Sequence, residues 1–192
     1  MLFFGRATAR CNSRTMTNQT DPLMKQFHRL FLMSLLFIVS YPAFAAGPSA
    51  NVRAIVSGIV TYTRWPELSA PPRLCIFSTS RYTQSLTQQS PEALPYQPVV
   101  VHSTEEALNT VCDGFYFGSE SPSQQSEFTS KYRPRPLLLI AEQNTECAIG
   151  SAFCLIINDD RVKFSVNLDV LTHSGVRVNP DVLMLARKNA HE

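Results

Sequence analysis

The chain has 192 residues, 44% of them hydrophobic, and a formal charge of +2. That length suits one domain with a proper core. From Ala46 onward twelve basic residues oppose fourteen acidic ones, a net −2. The basic excess therefore lies in the first 45 residues, and no basic stripe remains to hold nucleic acid or anionic lipid.

Residues 1–23 are polar and basic, without apolar periodicity. They are expected to be disordered and to precede the true translation start, Met24. Residues 24–45, "MKQFHRLFLMSLLFIVSYPAFA", read as a Sec signal peptide. Lys25 and Arg29 open it, the apolar run Leu30 to Val39 is ten residues long, and Ala43-Phe44-Ala45 is a small-x-small cleavage site. That run is too short to cross a bilayer, which takes roughly 20 residues. The expected product is a single periplasmic α/β domain, residues 46–192, with no membrane insertion after cleavage.

Val52, Ile55, Val56, Ile59 and Val60 recur at helical spacing and form the apolar face of an opening helix. Trp65-Pro66 should end it, because proline disfavours helix at the residue before it. "RLCIF" (73–77) and "QPVVVHS" (97–103) read as strands, with a short helix in 80–90 between them. Ser103 with Glu106 is a capping-box pattern for a helix over 105–111. "GFYFG" (114–118) is an aromatic strand, and Ser121-Pro122 with Gln124 starts another helix. "PLLLIAEQ" (136–143) is a continuous apolar run, as expected of a strand buried on both faces. "FCLIIN" and "VKFSVN", joined by "NDDR", predict a hairpin. "LDVLTHSG" is a helix closed by Gly175, and Asn179-Pro180 opens a last one. The alternation predicts a layered α/β sandwich with a mixed, mostly parallel central sheet flanked by helices.

No phosphate-binding glycine loop, nucleophile elbow or H-E-x-x-H motif occurs. Asp159-Asp160 is ordinary turn chemistry. His102, His173 and His191 read as surface histidines. The residues thus supply no catalytic, cofactor or metal site.

Cys75, Cys112, Cys147 and Cys154 remain after export, and four cysteines in an exported domain imply disulfides with three possible connectivities. Their spacings do not suit zinc. If Gly150-Ser151 form a type II′ turn, Cys147 and Cys154 become opposed across a hairpin, within disulfide reach. On that reading the pairing depends on the turn, since seven residues of strand would separate the two by roughly 23 Å. Cys75 is left to Cys112. Loop entropy assigns about 4 kcal/mol to the long loop and about 2.5 kcal/mol to the short one. The short bond, at an exposed hairpin tip, is expected to be the more reducible; the alternative to a redox switch is that both bonds are inert structural staples.

"GIVTYTRWP", "LCIFS", "GFYFG", "LLLIAEQNTECAIGSAFCLII" and "SGVRVNPDVLMLAR" together resemble the YfiR family, close to its enterobacterial members. The resemblance implies a periplasmic repressor of a YfiN-type inner-membrane diguanylate cyclase. A YfiB-type outer-membrane lipoprotein, or reductive misfolding, would relieve the repression, raising cyclic di-GMP and favouring biofilm over motility. It also implies a homodimer, two disulfides matching the pairings above, and an apolar partner-binding region near Val182, Leu183 and Leu185. The alternative is a periplasmic small-molecule sensor with a ligand cleft at Arg53, Arg64 and Trp65. A purely structural periplasmic protein is the third class.

Overall fold

A computed structural model describes residues 47–88, 93–132, 136–158 and 161–188. The segments 1–23 and 24–45, with Cys11, Asp159-Asp160 and His191, lie outside the described residues.

The opening helix, α1, spans Pro48–Tyr62 and buries Val52, Ile55, Val56, Ile59 and Val60, the five residues of the predicted stripe. It stops three residues before Trp65. Thr63 turns extended (φ −92°, ψ 143°), and β1 (Thr63–Arg64) pairs antiparallel with β8 (Arg177–Val178). The helix end is thus fixed by pairing with a strand more than a hundred residues away as well as by Pro66.

Between those ends run β2 (Arg73–Phe77), α2 (Thr83–Thr87), β3 (Gln97–Val101), α3 (Thr104–Asn109), β4 (Gly114–Phe117) and α4 (Pro122–Lys131). They are followed by β5 (Leu138–Ala141), β6 (Phe153–Ile157), β7 (Val162–Val166) and α5 (Leu168–His173). A 3-10 turn (Pro180–Val182) leads into α6 (Leu183–Lys188). The six-stranded sheet has the order β3-β2-β4-β5-β6-β7. Every neighbouring pair is parallel except the hairpin β6–β7. The fold is the predicted α/β sandwich with a mixed, mostly parallel sheet.

Each sheet face carries its own core. Tyr116 belongs to the one that includes the α1 stripe, while Phe115 and Phe117 belong to the other with Phe128 of α4. An entirely apolar strand thus still alternates faces, as strand geometry requires. The second core is aromatic: Phe128 meets Phe115 edge-on at 4.7 Å between ring centroids. Both predicted helix caps form. Ser121 Oγ accepts from Gln124 N and Gln124 Oε1 accepts from Ser121 N, a complete capping box. At α3 Ser103 Oγ accepts from Glu106 N, but the return bond to Glu106 comes from His102 N, one residue earlier.

Strand order reverses between β2 and β4, the place where open parallel sheets usually hold ligands beyond their carboxyl ends. Here that crevice is closed. The chain leaving β2 lies directly on Gly118, where a Cβ would sit inside the backbone of Thr79 and Ser80. Thr79 Oγ1 and Gly118 N both donate to the Glu120 carboxylate, at 2.6 and 2.8 Å, which fixes the closure.

Candidate functional site

The cysteines pair as Cys75–Cys112 and Cys147–Cys154, with Cα separations of 5.9 and 5.7 Å. The first bond lies in the aromatic core, and both its cysteines are fully buried. The second is not built on a hairpin. Cys154 sits inside the sheet, facing Ala141 of β5 on one side and Ser165 of β7 on the other, so no place remains for a strand carrying Cys147. Residues 142–152 instead form an irregular loop with two left-handed positions, Cys147 (φ 50°) and Gly150 (φ 91°). This loop carries Cys147 back toward Cys154, and Cys147 Sγ lies 3.7 Å from Ser165 O. The expected exposed tip is corrected as well: Cys154 is fully buried and Cys147 is 8% exposed.

A buried polar network holds the loop. Gln125 on α4 accepts at Oε1 from Ser151 Oγ (2.8 Å) and from Asn144 Nδ2 (3.3 Å), and donates to Glu120 O at 2.7 Å. Asn144 also bridges the loop to itself, accepting from Cys147 N and donating to Ile149 O. From the other side Asn167 Nδ2 donates to the carbonyls of Cys147 and Ala148. Gln125, Asn144 and Ser151 are all buried. Gly150 is required twice over: its φ is left-handed, and a Cβ there would come within 2.7 Å of Gln125 Oε1.

The three C-terminal residues expected to bind a partner are placed differently from one another. Val182 is buried in the first core, which corrects its assignment to a contact surface. Leu185 is half-buried over Gly58 of α1. Leu183 alone faces solvent, at 54% exposure, and Met184 beside it is equally exposed.

The expected ligand cleft does not assemble. Arg53 Nη1 donates to the carbonyls of Ser85 and Gln88, where it closes the end of α2. Arg64 and Trp65 do share a surface depression of about 310 Å³ with Leu68 and Pro72. Arg53 lies roughly 14 Å away along the helix axis. Arg64 donates to Thr61 O and Thr63 O, and Trp65 Nε1 donates to Asp113 O at 2.8 Å. Trp65 thereby pins the end of the first helix to the start of β4.

The side chain of Glu142, at the carboxyl end of β5, is a buried carboxylate (6% exposed) that gathers three donors. Ser80 Oγ (2.8 Å) and Tyr116 OH (3.1 Å) donate to Oε2, and Arg81 N (3.0 Å) donates to Oε1. Burial first, and then the adjacent Glu142 charge, hold the Tyr116 phenol well above its usual range. Tyr82 is raised by the same two causes in the same order.

Compared with known protein families, residues 49–187 match the one described as YfiR/HmsC-like (DUF4154). The chain belongs to this family. The match spans the domain from α1 into α6, so both disulfides and the loop between Cys147 and Cys154 lie inside the YfiR/HmsC-like region. Among the described residues no helix is long and apolar enough to cross a membrane.

Three features of this YfiR/HmsC-like domain were not read from its sequence. Met184 stands beside Leu183 and shares its exposure. Gln125 lies on a polar helix whose only visible signal was its cap. Glu142 ends an apolar run, and an acid at that place is the one hint that something receives it.

Proposed function

We propose that the chain is a periplasmic regulator of diguanylate cyclase signalling that acts by binding a partner rather than by catalysis. Family membership across residues 49–187 carries this reading. In its finer form, residues 24–45 direct export and residues 46–192 fold in the periplasm as a homodimer. The domain then binds and inhibits a YfiN-type inner-membrane diguanylate cyclase, and a YfiB-type lipoprotein draws it away. Cyclic di-GMP falls while the repressor is bound and rises on release, coupling envelope or redox stress to biofilm and motility. Two internal disulfides suit an oxidising compartment. Leu183 and Met184 supply adjacent exposed apolar side chains for partner contact.

Deletion of the gene, alone and together with the cyclase gene, tests this reading. Cyclic di-GMP should rise in the single deletion and return to baseline in the double. A rise that persists without the cyclase would remove the repressor reading. Complementation with Leu183→Glu/Met184→Glu should fail to restore repression while the purified variant melts like the parent. The sensor alternative draws no support from Arg53, Arg64 and Trp65 acting together, since they do not converge.

A further inference from the structure

The sheet is uneven at its carboxyl edge. β5 ends at Ala141, opposite Cys154, while β6 continues through Leu155, Ile156 and Ile157 with no residue of β5 beside it. The overhang and the chain that begins α2 bound a depression of about 440 Å³. Leu155, Ile156, Ile157 and Tyr82 give it apolar walls, and Glu142 lines it as well. It lies outside the carboxyl ends of parallel strands, the usual place for a ligand in such sheets, and beside the switch-point crevice that Gly118 closes. Gln143, Thr145 and Asn158 add polar groups to the lining, and the size of the depression suits a small ligand with both apolar and polar parts.

The Glu142 carboxylate has three hydrogen-bond donors, two on Oε2 and one on Oε1. A carboxylate offers about four acceptor sites. One site on Oε1 is left over, on a group that lines the depression. All three donors are neutral, and among the described residues no cation forms an ion pair with Glu142. A buried carboxylate without a counter-charge is costly, and a cation brought to it gains more than it would at the surface. Arg81 also lines the depression; its side chain is exposed, and its charge acts on Tyr82 in the direction opposite to that of Glu142.

We propose that this depression binds a small organic ammonium ion, its charged nitrogen on Glu142 Oε1 and its apolar substituent along Ile157 and Tyr82. The site is separate from Leu183 and Met184, so it stands whether or not the chain represses a cyclase.

The test is calorimetric titration of the purified protein with 2-phenylethylammonium. Phenylethanol and phenylacetate serve as the neutral and anionic probes of like size. The ammonium should bind at concentrations up to about 10 mM, and the other two should not. Glu142→Gln should lower the affinity by about tenfold or more, the loss expected of one charge-assisted contact. Thr145→Trp, at an exposed position on the rim, should block binding without touching Glu142, which keeps the test valid if Glu142→Gln fails to fold. Arg81→Ala should leave binding equal or stronger. The proposal is overturned if the ammonium does not bind, if phenylacetate binds as well, or if Thr145→Trp binds like the parent.

Discussion

Removing each disulfide separately should produce unequal losses, in an order that the geometry sets. The bond Cys75–Cys112 spans 37 positions and Cys147–Cys154 spans 7. Constraint of the unfolded chain is then worth about 3.9 kcal/mol for the first and about 2.5 kcal/mol for the second. Two local effects widen the gap. Cys75 and Cys112 both lie at 0% exposure in the aromatic core, so truncation to alanine adds a cavity cost on the order of 1 kcal/mol. Cys147 is held left-handed at φ 50°, which costs about 1 kcal/mol or more and is partly recovered when the loop relaxes. We therefore expect Cys75→Ala/Cys112→Ala to lose about 4–5 kcal/mol, and Cys147→Ala/Cys154→Ala about 1.5–2.5 kcal/mol. Urea unfolding with linear extrapolation measures both. The comparison must use extrapolated free energies rather than midpoints, because removing a cross-link changes the denatured ensemble and the slope. Equal losses, or a larger loss for the short loop, would refute the loop-entropy reasoning. Graded reduction of the parent gives the companion result. Of the four cysteines only Cys147 has measurable exposure, at 8%, so the short bond should open first because a thiolate can reach it. Simultaneous opening of both bonds would sink that order.

Gln125→Ala should cost about 2–4 kcal/mol, because it leaves the buried Ser151 Oγ without its acceptor and the half-buried Glu120 O without its donor. In thermal melts that is a fall of roughly 4–16 °C for a domain of this size, and a loss below about 1 kcal/mol would deny the network its role. Gly150→Ala should be worse tolerated than Gly47→Ala, since only Gly150 is left-handed and crowded by Gln125; equal melting temperatures would contradict this. Stability should also fall in alkali. Burial pushes the Tyr96 phenol up to about 12 and holds Tyr116 well above 10. Groups whose folded pKa is raised contribute fully below the unfolded value near 10, and the contribution is lost as pH climbs through the folded value. The loss approaches ~1.4 kcal/mol per pH unit for each tyrosine that ionises only when unfolded. Urea titrations between pH 9 and 12 should show that decline, and a flat profile would exclude it.

The elements that were legible in the sequence are those fixed by neighbours a few residues away. The α1 stripe recurs at three and four residues, and the two caps are set within three, so each could be read without knowing the fold. The Cys147–Cys154 pairing was also reached, but through a hairpin that does not exist. The error was to treat Gly150 as a turn residue joining two strands. A parallel neighbour for β6 was already required by the sheet, so the preceding chain had to cross over rather than fold back alongside. The reach estimate then failed as well, because it assumed an extended chain where two left-handed residues bring the sulfurs together. Val182 and Leu183 were given the same role by the family resemblance, which points to a region of the chain and not to one of its faces. Neighbours in a helical turn point in different directions, and at the junction of the 3-10 turn Pro180–Val182 with α6 Val182 enters the core while Leu183 stays outside.

Arg53 and Glu142 mark where local reading stops altogether. Arg53 reaches carbonyls 32 and 35 positions away, and Glu142 collects donors from 26 to 62 positions away. Nothing near either residue in the chain announces its partners. The two nevertheless end in opposite chemical states. Arg53 donates to two carbonyls at the end of α2, so this contact serves the fold. Glu142 carries its charge among neutral donors at the edge of an open depression, which leaves its electrostatics unfinished. That contrast is the physical ground for looking to Glu142, and away from Arg53, for a ligand of this domain.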